Sequence, residues 1–72
     1  MKVKIKSFNG ELPYYLTVGK VYKVFDYDYE NDFGYLFDDE CVEITFKQHG
    51  SQHLNGGSWE VVEWNYLLNN KH

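Results

Sequence analysis

The sequence predicts an all-β fold, a single small barrel of five antiparallel strands. Apolar and polar residues alternate with period two in several short segments, which is typical of strands that bury one face. No segment keeps a helical period over about ten residues, and glycines or clustered acids separate the alternating segments where turns are needed. The 72 residues form one domain, because two domains would each hold too little apolar surface to offset the entropy of ordering.

The first two strands are predicted on either side of a long connection. Residues 2–6 alternate, with Val3 and Ile5 on one face and lysines on the other. Residues 20–28 follow Gly19 and carry β-branched and aromatic side chains on both faces. A strand that is apolar on both faces is expected at the centre of the sheet.

Three further strands are predicted at residues 33–37, 42–47 and 58–64. In the fourth strand Val42, Ile44 and Phe46 are expected to face inward, and the preceding "DDEC" forms a tight reversal. Asn55 and the two glycines after it give the backbone freedom for a turn before the last strand. The barrel is expected to span residues 1–65, and residues 66–72 form a C-terminal tail, either a short helical turn or a frayed end.

Aromatic side chains are numerous for so short a chain, with two Trp, seven Tyr and five Phe. Each can bury on the order of 150 to 250 Å², and a domain of this size needs large side chains to reach stability. Most of them are therefore expected in the core, and the remainder on a surface for a partner.

The charge distribution is acidic and uneven. The net charge is −4, all side-chain cations are lysines or histidines, and no lysine lies between residues 24 and 46, where eight of the eleven acids fall. This segment predicts a negative field on one region of the surface. Direct nucleic-acid binding is not expected without arginine and a basic face, although Lys2, Lys4, Lys6 and Lys23 keep it open as a third possibility.

Cysteine use and hydropathy predict a cytoplasmic protein. The single Cys41 has no partner for an internal disulfide. The N-terminal segment interrupts its apolar residues with lysines, unlike a signal peptide. No apolar run reaches the length of a membrane span.

Three motifs suggest a family. The segments "LTVGKVYKV" (16–24), "GYLFDDE" (34–40) and "WEVVE" (59–63) resemble the small SH3-like barrel proteins of bacteriophages, prophages and bacteria. The resemblance covers most of the chain, and the connection 7–19 is similar to the extended first loop of SH3-like barrels. Most members have no assigned activity, so the resemblance implies a fold more than a function.

The resemblance also implies roles for single residues. Gly19 corresponds to a turn glycine, Tyr22 and Val24 to core positions, and Asp38 with Asp39 to the start of a hairpin turn. The chain departs from the pattern at Cys41, where relatives usually have Gly. A residue other than Gly is strained at positive φ, so the type of turn does not follow from the resemblance.

Two possible metal sites fail on the residues that occupy or separate the required positions. Asp26, Asp28 and Glu30 match the first ligand positions of a calcium loop, but Asn31 and Phe37 replace the required glycine and bidentate acid. Cys41, His49 and His53 are ligand types for zinc. Gly50 and Ser51 make a helix that would align the two histidines improbable, so both are expected to be solvated. We therefore expect no metal and no cofactor.

No catalytic constellation is recognisable. Nucleophilic catalysis requires an activated residue, a base and an oxyanion stabiliser in one pocket, and no motif links the serines, histidines and Cys41. A barrel of this size also has little interior for a substrate. The protein is therefore expected to be non-enzymatic.

The function expected from these observations is that of a protein-interaction module, an accessory protein of a phage or prophage that binds a host or phage protein. An aromatic patch makes the contact and nearby acids steer a basic partner. A groove for an extended peptide, lined by Tyr14 and Tyr15 together with Trp59 or Trp64, is an alternative mode of contact. The candidate contact residues are Tyr14, Tyr15, Tyr27, Tyr29 and Trp64, and the candidate steering residues are Asp26, Asp28, Glu30 and Asp32.

An acidic decoy that imitates nucleic acid is the alternative. On an extended backbone Asp26, Asp28, Glu30 and Asp32 project from one face about 6.5 to 7 Å apart, which approximates the spacing of phosphates. Such a row could inhibit a nucleic-acid-binding protein. The other interpretation of these acids is a solvated hairpin tip with ordinary turn chemistry.

Overall fold

The computed structural model describes residues 1–64, which contain five strands and one short 3-10 helix. The all-β class and the five strands predicted from the sequence are confirmed. The tail predicted at residues 66–72, with the boundary at 65, lies outside the described residues. The strands are β1 (Lys2–Ser7), β2 (Tyr22–Asp28), β3 (Phe33–Phe37), β4 (Glu43–Phe46) and β5 (Ser58–Glu63), and the 3-10 helix is Gln52–Leu54.

All five strands belong to one antiparallel sheet with the order β4-β3-β2-β1-β5. The prediction that β2 is central is confirmed. Its first residues pair with β1, at Tyr22 opposite Val3, and its later residues pair with β3, at Val24 opposite Leu36. Within residues 1–64 no strand pairing joins β4 to β5, so the sheet is open between these two edges.

The core lies on the inner face of this sheet, and its members are Met1, Val3, Ile5, Leu16, Tyr22, Val24, Leu36, Phe46, Leu54 and Trp59. Tyr22 and Val24 are buried, as the sequence predicted. The prediction for Val42 is wrong, because its side chain is 53% exposed. Pairing with β3 begins only at Glu43, and the Val42 amide instead donates to the carboxylate of Asp38 in the preceding turn.

A β-bulge in β2 changes which side chains face the core. The pairs Val24–Leu36 and Phe25–Tyr35 are in one register, but Asp28 pairs with Phe33, one residue out of step. The extra residue lies around Asp26, whose φ is 55°, a conformation that Asp tolerates better than most residues. Strict alternation would turn the Asp26 carboxylate toward the core at a high desolvation cost. With the bulge Asp26 stays exposed, and Tyr27 packs on Phe46 with ring centroids 5.6 Å apart.

The turn between β3 and β4 has the tight reversal predicted for "DDEC". The Asp38 amide donates to the Val42 carbonyl at 2.9 Å, and the Asp38 carboxylate accepts the amides of Glu40 and Val42. Cys41 has φ 62°, the left-handed conformation for which a glycine is best suited. Cys41 is therefore a strained residue in this turn.

The carboxylate of Asp39 joins the long connection between β1 and β2 to the β3–β4 turn. Asp39 accepts hydrogen bonds from Thr17 Oγ1 at 2.6 Å, Lys20 Nζ at 2.7 Å and the Tyr22 hydroxyl at 2.8 Å. The Lys20, Thr17 and Tyr22 bonds lower the pKa of Asp39 to about 2. Because Asp39 belongs to the β3–β4 turn, this cluster joins two loops that are distant in sequence.

Candidate interaction surface

Exposure of the aromatic side chains differs from the sequence prediction. Most were expected in the core, but of those in residues 1–64 only Tyr22, Phe46 and Trp59 are buried. Tyr15 and Tyr27 pack against the core while half-buried. Six are exposed to solvent, namely Phe8, Tyr14, Tyr29, Phe33, Phe37 and Trp64.

Four aromatic side chains form a continuous surface on the outer side of β2 and β3, which we call the outer aromatic face: Phe25, Phe33, Tyr35 and Phe37. The Phe25 and Phe37 rings are stacked at 5.3 Å, and Tyr35 lies 6.2 Å from Phe25 and 5.3 Å from Phe33. Phe37 is 52% exposed. Aromatic pairs at these distances are favourable beyond their area, so the face is an ordered cluster.

The border of this face carries charges of both signs. Lys23, Phe25 and Phe37 line a shallow apolar depression of about 340 Å³. On the other side of Phe37, Glu43 is its direct neighbour in β4. The arrangement can receive apolar side chains at its centre and match both a cation and an anion at its edges.

Sequence reasoning identified the strand "FGYLF" but missed the outer aromatic face, although the signal was present. Alternation along β3 puts Phe33, Tyr35 and Phe37 on one side and Gly34 with Leu36 on the other. Gly34 and Leu36 are buried, so the three aromatic rings must point outward. In a sheet that buries only one face, the alternation of β3 is therefore sufficient to predict this surface.

Three of the predicted contact residues form a cluster at the β2–β3 hairpin. Tyr29 lies edge-on to Tyr27 at 5.0 Å and is stacked on Trp64 at 5.7 Å. Tyr29 is exposed, whereas Tyr27 is half-buried against Phe46. Tyr29 and Trp64 can therefore contact a partner, but Tyr27 mainly supports them.

Tyr14 and Tyr15 form a second group on the long connection. Their rings are 5.5 Å apart, and the Tyr15 hydroxyl is 2.8 Å from Nδ1 of His53. Among residues 1–64 no ring contact joins this pair to Tyr29 or Trp64. The predicted groove with Trp59 is wrong, because Trp59 is 2% exposed and packs against Tyr22 and Phe46.

The four predicted steering acids do not form an evenly spaced row. The backbone is not extended from Asp26 to Asp32, because Asp26 lies at the bulge and the chain turns between β2 and β3. Asp28 accepts the Asn31 side-chain amide at 2.7 Å and the Glu30 amide at 2.9 Å, and these bonds lower its pKa. The geometry on which the decoy hypothesis depends is thus contradicted.

Asp32 is held inside the structure by three hydrogen bonds. It accepts the Tyr27 hydroxyl at 2.7 Å and the backbone amides of Gln48 at 2.8 Å and His49 at 3.0 Å. Burial opposes its ionisation, but these bonds outweigh that effect and lower the pKa of Asp32. Asp26, Asp28 and Glu30 are exposed, whereas Asp32 is half-buried and serves as a structural acceptor, so the proposed steering role stays a prediction for all four acids.

The predicted lysine face of β1 is partly matched by acids. Lys2 Nζ lies 3.4 Å from Glu63, and Lys4 is directly opposite Glu60 in β5. Of the possible zinc ligands, Cys41 is exposed and the His53 ring contacts the Tyr15 hydroxyl. In residues 1–64 no group of three His, Cys, Asp or Glu side chains is arranged to hold a metal ion.

Comparisons with family models, curated proteins and solved structures find no match for this chain. Over the part of the chain that is described, no helix has the length and apolar character required to cross a membrane. The proposed function therefore rests on the geometry of the surface.

Proposed function

We propose that this chain is a non-enzymatic protein-interaction module that binds its partner on the outer aromatic face. The observation that carries the proposal is the exposure of Phe33 and Phe37 on the outer side of the sheet. A domain this small needs large side chains in its core, yet these two rings lie at the surface. Large contiguous apolar patches on the surface of a soluble protein mark interaction sites. Aromatic rings also dominate the energetics of protein interfaces.

The shape of the surface supports a protein partner over a small substrate. The depression beside Lys23 is widely open to solvent, whereas ligand pockets enclose most of a small molecule. A flat apolar patch with a charged border is typical of protein interfaces. The proposal therefore assigns contact to the aromatic rings and specificity to the charges around them.

The exposed hairpin acids have a secondary role in this proposal. Asp26, Asp28 and Glu30 lie beside the face on the solvent side of the β2–β3 hairpin. Carboxylates in such a position raise the rate of encounter with a partner that carries basic residues next to its apolar surface.

We further propose that the fold is an SH3-like barrel of a cytoplasmic phage or prophage accessory protein. Two contacts near the open edges support barrel closure. The Trp59 amide donates to the Gln48 carbonyl at 2.9 Å, and Ser51 forms an isolated bridge with Gly57. Both bring the chain after β4 against the start of β5. The phage origin rests on the sequence resemblance alone.

The proposal is tested by comparative capture of partners. A tagged chain and its Phe25→Ser and Phe37→Ser variants are incubated with a lysate of the source organism, and bound proteins are quantified by mass spectrometry. Tyr14→Ser is the matched control, since Tyr14 is 81% exposed but lies outside the face. Circular dichroism verifies that each variant is folded.

The expected result is at least one protein whose recovery falls about tenfold or more with both face variants, since truncating an interface aromatic commonly costs more than 1 kcal/mol. The Tyr14→Ser control should retain it. The proposal is wrong if the face variants and the wild-type chain recover the same proteins in equal amounts. A Tyr29→Ser variant in the same experiment tests the hairpin cluster separately.

A further inference from the structure

We propose that the outer aromatic face binds a second copy of this chain, so that the protein self-associates as a symmetric dimer. This inference rests on the proposed function, because it assigns a partner to the same surface. It is carried by the order of charged and aromatic side chains across three strands.

One row across the sheet contains an acid, an aromatic ring and a cation. Glu43 of β4 is paired with Phe37 of β3. The pairing of Val24 with Leu36 in β2 and β3 makes Lys23 the neighbour of Phe37 on the other side, and both line the apolar depression. Neither Glu43 nor Lys23 has an ion-pair partner within residues 1–64.

This row is complementary to itself under two-fold symmetry. When two faces stack with a two-fold axis parallel to β3, the axis places the β4 side of one copy over the β2 side of the other. Glu43 of each copy then faces Lys23 of the second copy, and the Phe37 rings meet near the axis. Every such contact occurs twice in a symmetric dimer, so one mixed row supplies two ion pairs.

The adjacent row is compatible with the same arrangement. Thr45, Tyr35 and Phe25 are successive neighbours in β4, β3 and β2. Under the same axis Phe25 lies over Thr45 of the second copy, which offers a methyl group and no charge. Stacked sheets keep their strands within about 30° of each other, which preserves the pairing of the rows.

Other occupants fit the border less well. Phosphates of a nucleic acid would lie near Glu43 and Asp26, while Lys2 and Lys4 already face acids of β5. A uniformly basic protein would be repelled by Lys23 beside the depression. A second copy supplies both signs of charge at matching positions together with the apolar centre.

Sedimentation velocity over a concentration series tests the proposal with purified full-length chain and charge-reversal variants. The face and its border cover only three short strands, β2, β3 and β4, and small interfaces form weak complexes, so the dimer fraction should rise with concentration. Lys23→Glu alone and Glu43→Lys alone each place like charges opposite each other, and each should weaken the dimer about tenfold or more. An equimolar mixture of the two variants should restore it, because their charges are complementary.

Lys6→Glu provides the matched control, since it makes the same charge change on β1, outside the face, and should leave the dimer unchanged. The inference is overturned if the wild-type chain sediments as a monomer at roughly 500 µM, a concentration at which even weak association in the range of small interfaces is visible. It is also overturned if the mixture stays monomeric or if Lys6→Glu weakens the dimer as much as Lys23→Glu. A monomeric wild-type chain whose partner capture still depends on Phe25 and Phe37 would refute self-association and leave the proposed function standing.

Discussion

The Tyr27 hydroxyl donates a hydrogen bond of 2.7 Å to Oδ1 of Asp32, and this contact joins the bulged end of β2 to the β2–β3 turn, which Asp32 also connects to the loop after β4. Asp32 completes the link by accepting the amides of Gln48 and His49. The bond also raises the pKa of Tyr27, together with the larger effect of burial. The Asp32 carboxylate therefore connects the hairpin tip to the loop after β4 by hydrogen bonds.

Replacing Asp32 with Asn should destabilise the protein by about 1 to 2 kcal/mol, because one oxygen cannot accept three donors and a charge-assisted bond is lost. Asn tolerates the φ of 51° found at this position, so backbone strain does not contribute. Urea unfolding followed by tryptophan fluorescence gives the change. Glu30→Gln in the same turn is the control and should alter stability by less than about 0.5 kcal/mol. An Asp32→Asn variant as stable as the wild type would contradict the role of this acceptor.

Asp39 should make stability fall as the solution is acidified from pH 4 toward pH 2. Its pKa in the folded protein is about 2, whereas the pKa of an Asp in an unfolded chain is about 3.9. The depressed pKa means that the stabilisation is present above the unfolded value and disappears as pH falls through the folded value. Asp39→Asn should be less stable at pH 7 and lose less between pH 4 and pH 2. Glu40→Gln is the control, and equal acid sensitivity of wild type and Asp39→Asn would refute the prediction.

Cys41→Gly should stabilise the protein by about 0.5 to 1 kcal/mol, because relief of left-handed strain exceeds the entropy that glycine adds to the unfolded chain. Cys41 has φ 62° and is exposed, so little packing is lost. Thermal unfolding measures the gain. Cys41→Ala keeps the Cβ atom and removes only the thiol, so it should give no gain, and similar behaviour of the two variants would show that φ is not the cause.

Gly57→Ala should destabilise the protein by about 3 kcal/mol, as expected when a side chain is forced into a packed site. A Cβ atom there would meet the backbone of Ser7 and come within 2.7 Å of Phe8 Cα, at the junction of β1 and β5. Gly50→Ala is the control, with a φ of 65° and open space around the added atom, and should cost only about 1 kcal/mol of left-handed strain. Equal losses in denaturant unfolding would show that the close approach is not the determining factor.

The strand pattern could be predicted because alternation is a local property of the sequence. Val3, Ile5, Tyr22 and Val24 face inward as their period requires. The reversal predicted for "DDEC" is also local, since the Asp38 side chain and backbone form it with Glu40 and Val42. These features depend on neighbouring residues and turn chemistry, which are visible without any tertiary information.

The bulge at Asp26 could not be predicted because it results from competition between distant parts of the chain. Local alternation favours an extended strand, and only the cost of turning the carboxylate toward Phe46 and its neighbours opposes it. Once the bulge forms, Tyr27 turns inward and Asp32 becomes an acceptor for the loop after β4. The predicted row of acids is absent for this reason, whereas the outer aromatic face follows from the local alternation of β3.

The position of β1 has a consequence for the order of folding. β1 pairs with β2 only at Lys2 and Val3, but pairs with β5 along most of its length, and Ser7 contacts Ser58 across 51 residues. The β2–β3–β4 segment can close through short loops, whereas β1 gains its main neighbour only after almost all of the described chain has been synthesised. Such non-local pairing slows folding. A ribosome-bound chain that has not yet released β5 should therefore expose Val3 and Ile5 and depend on chaperones at that stage.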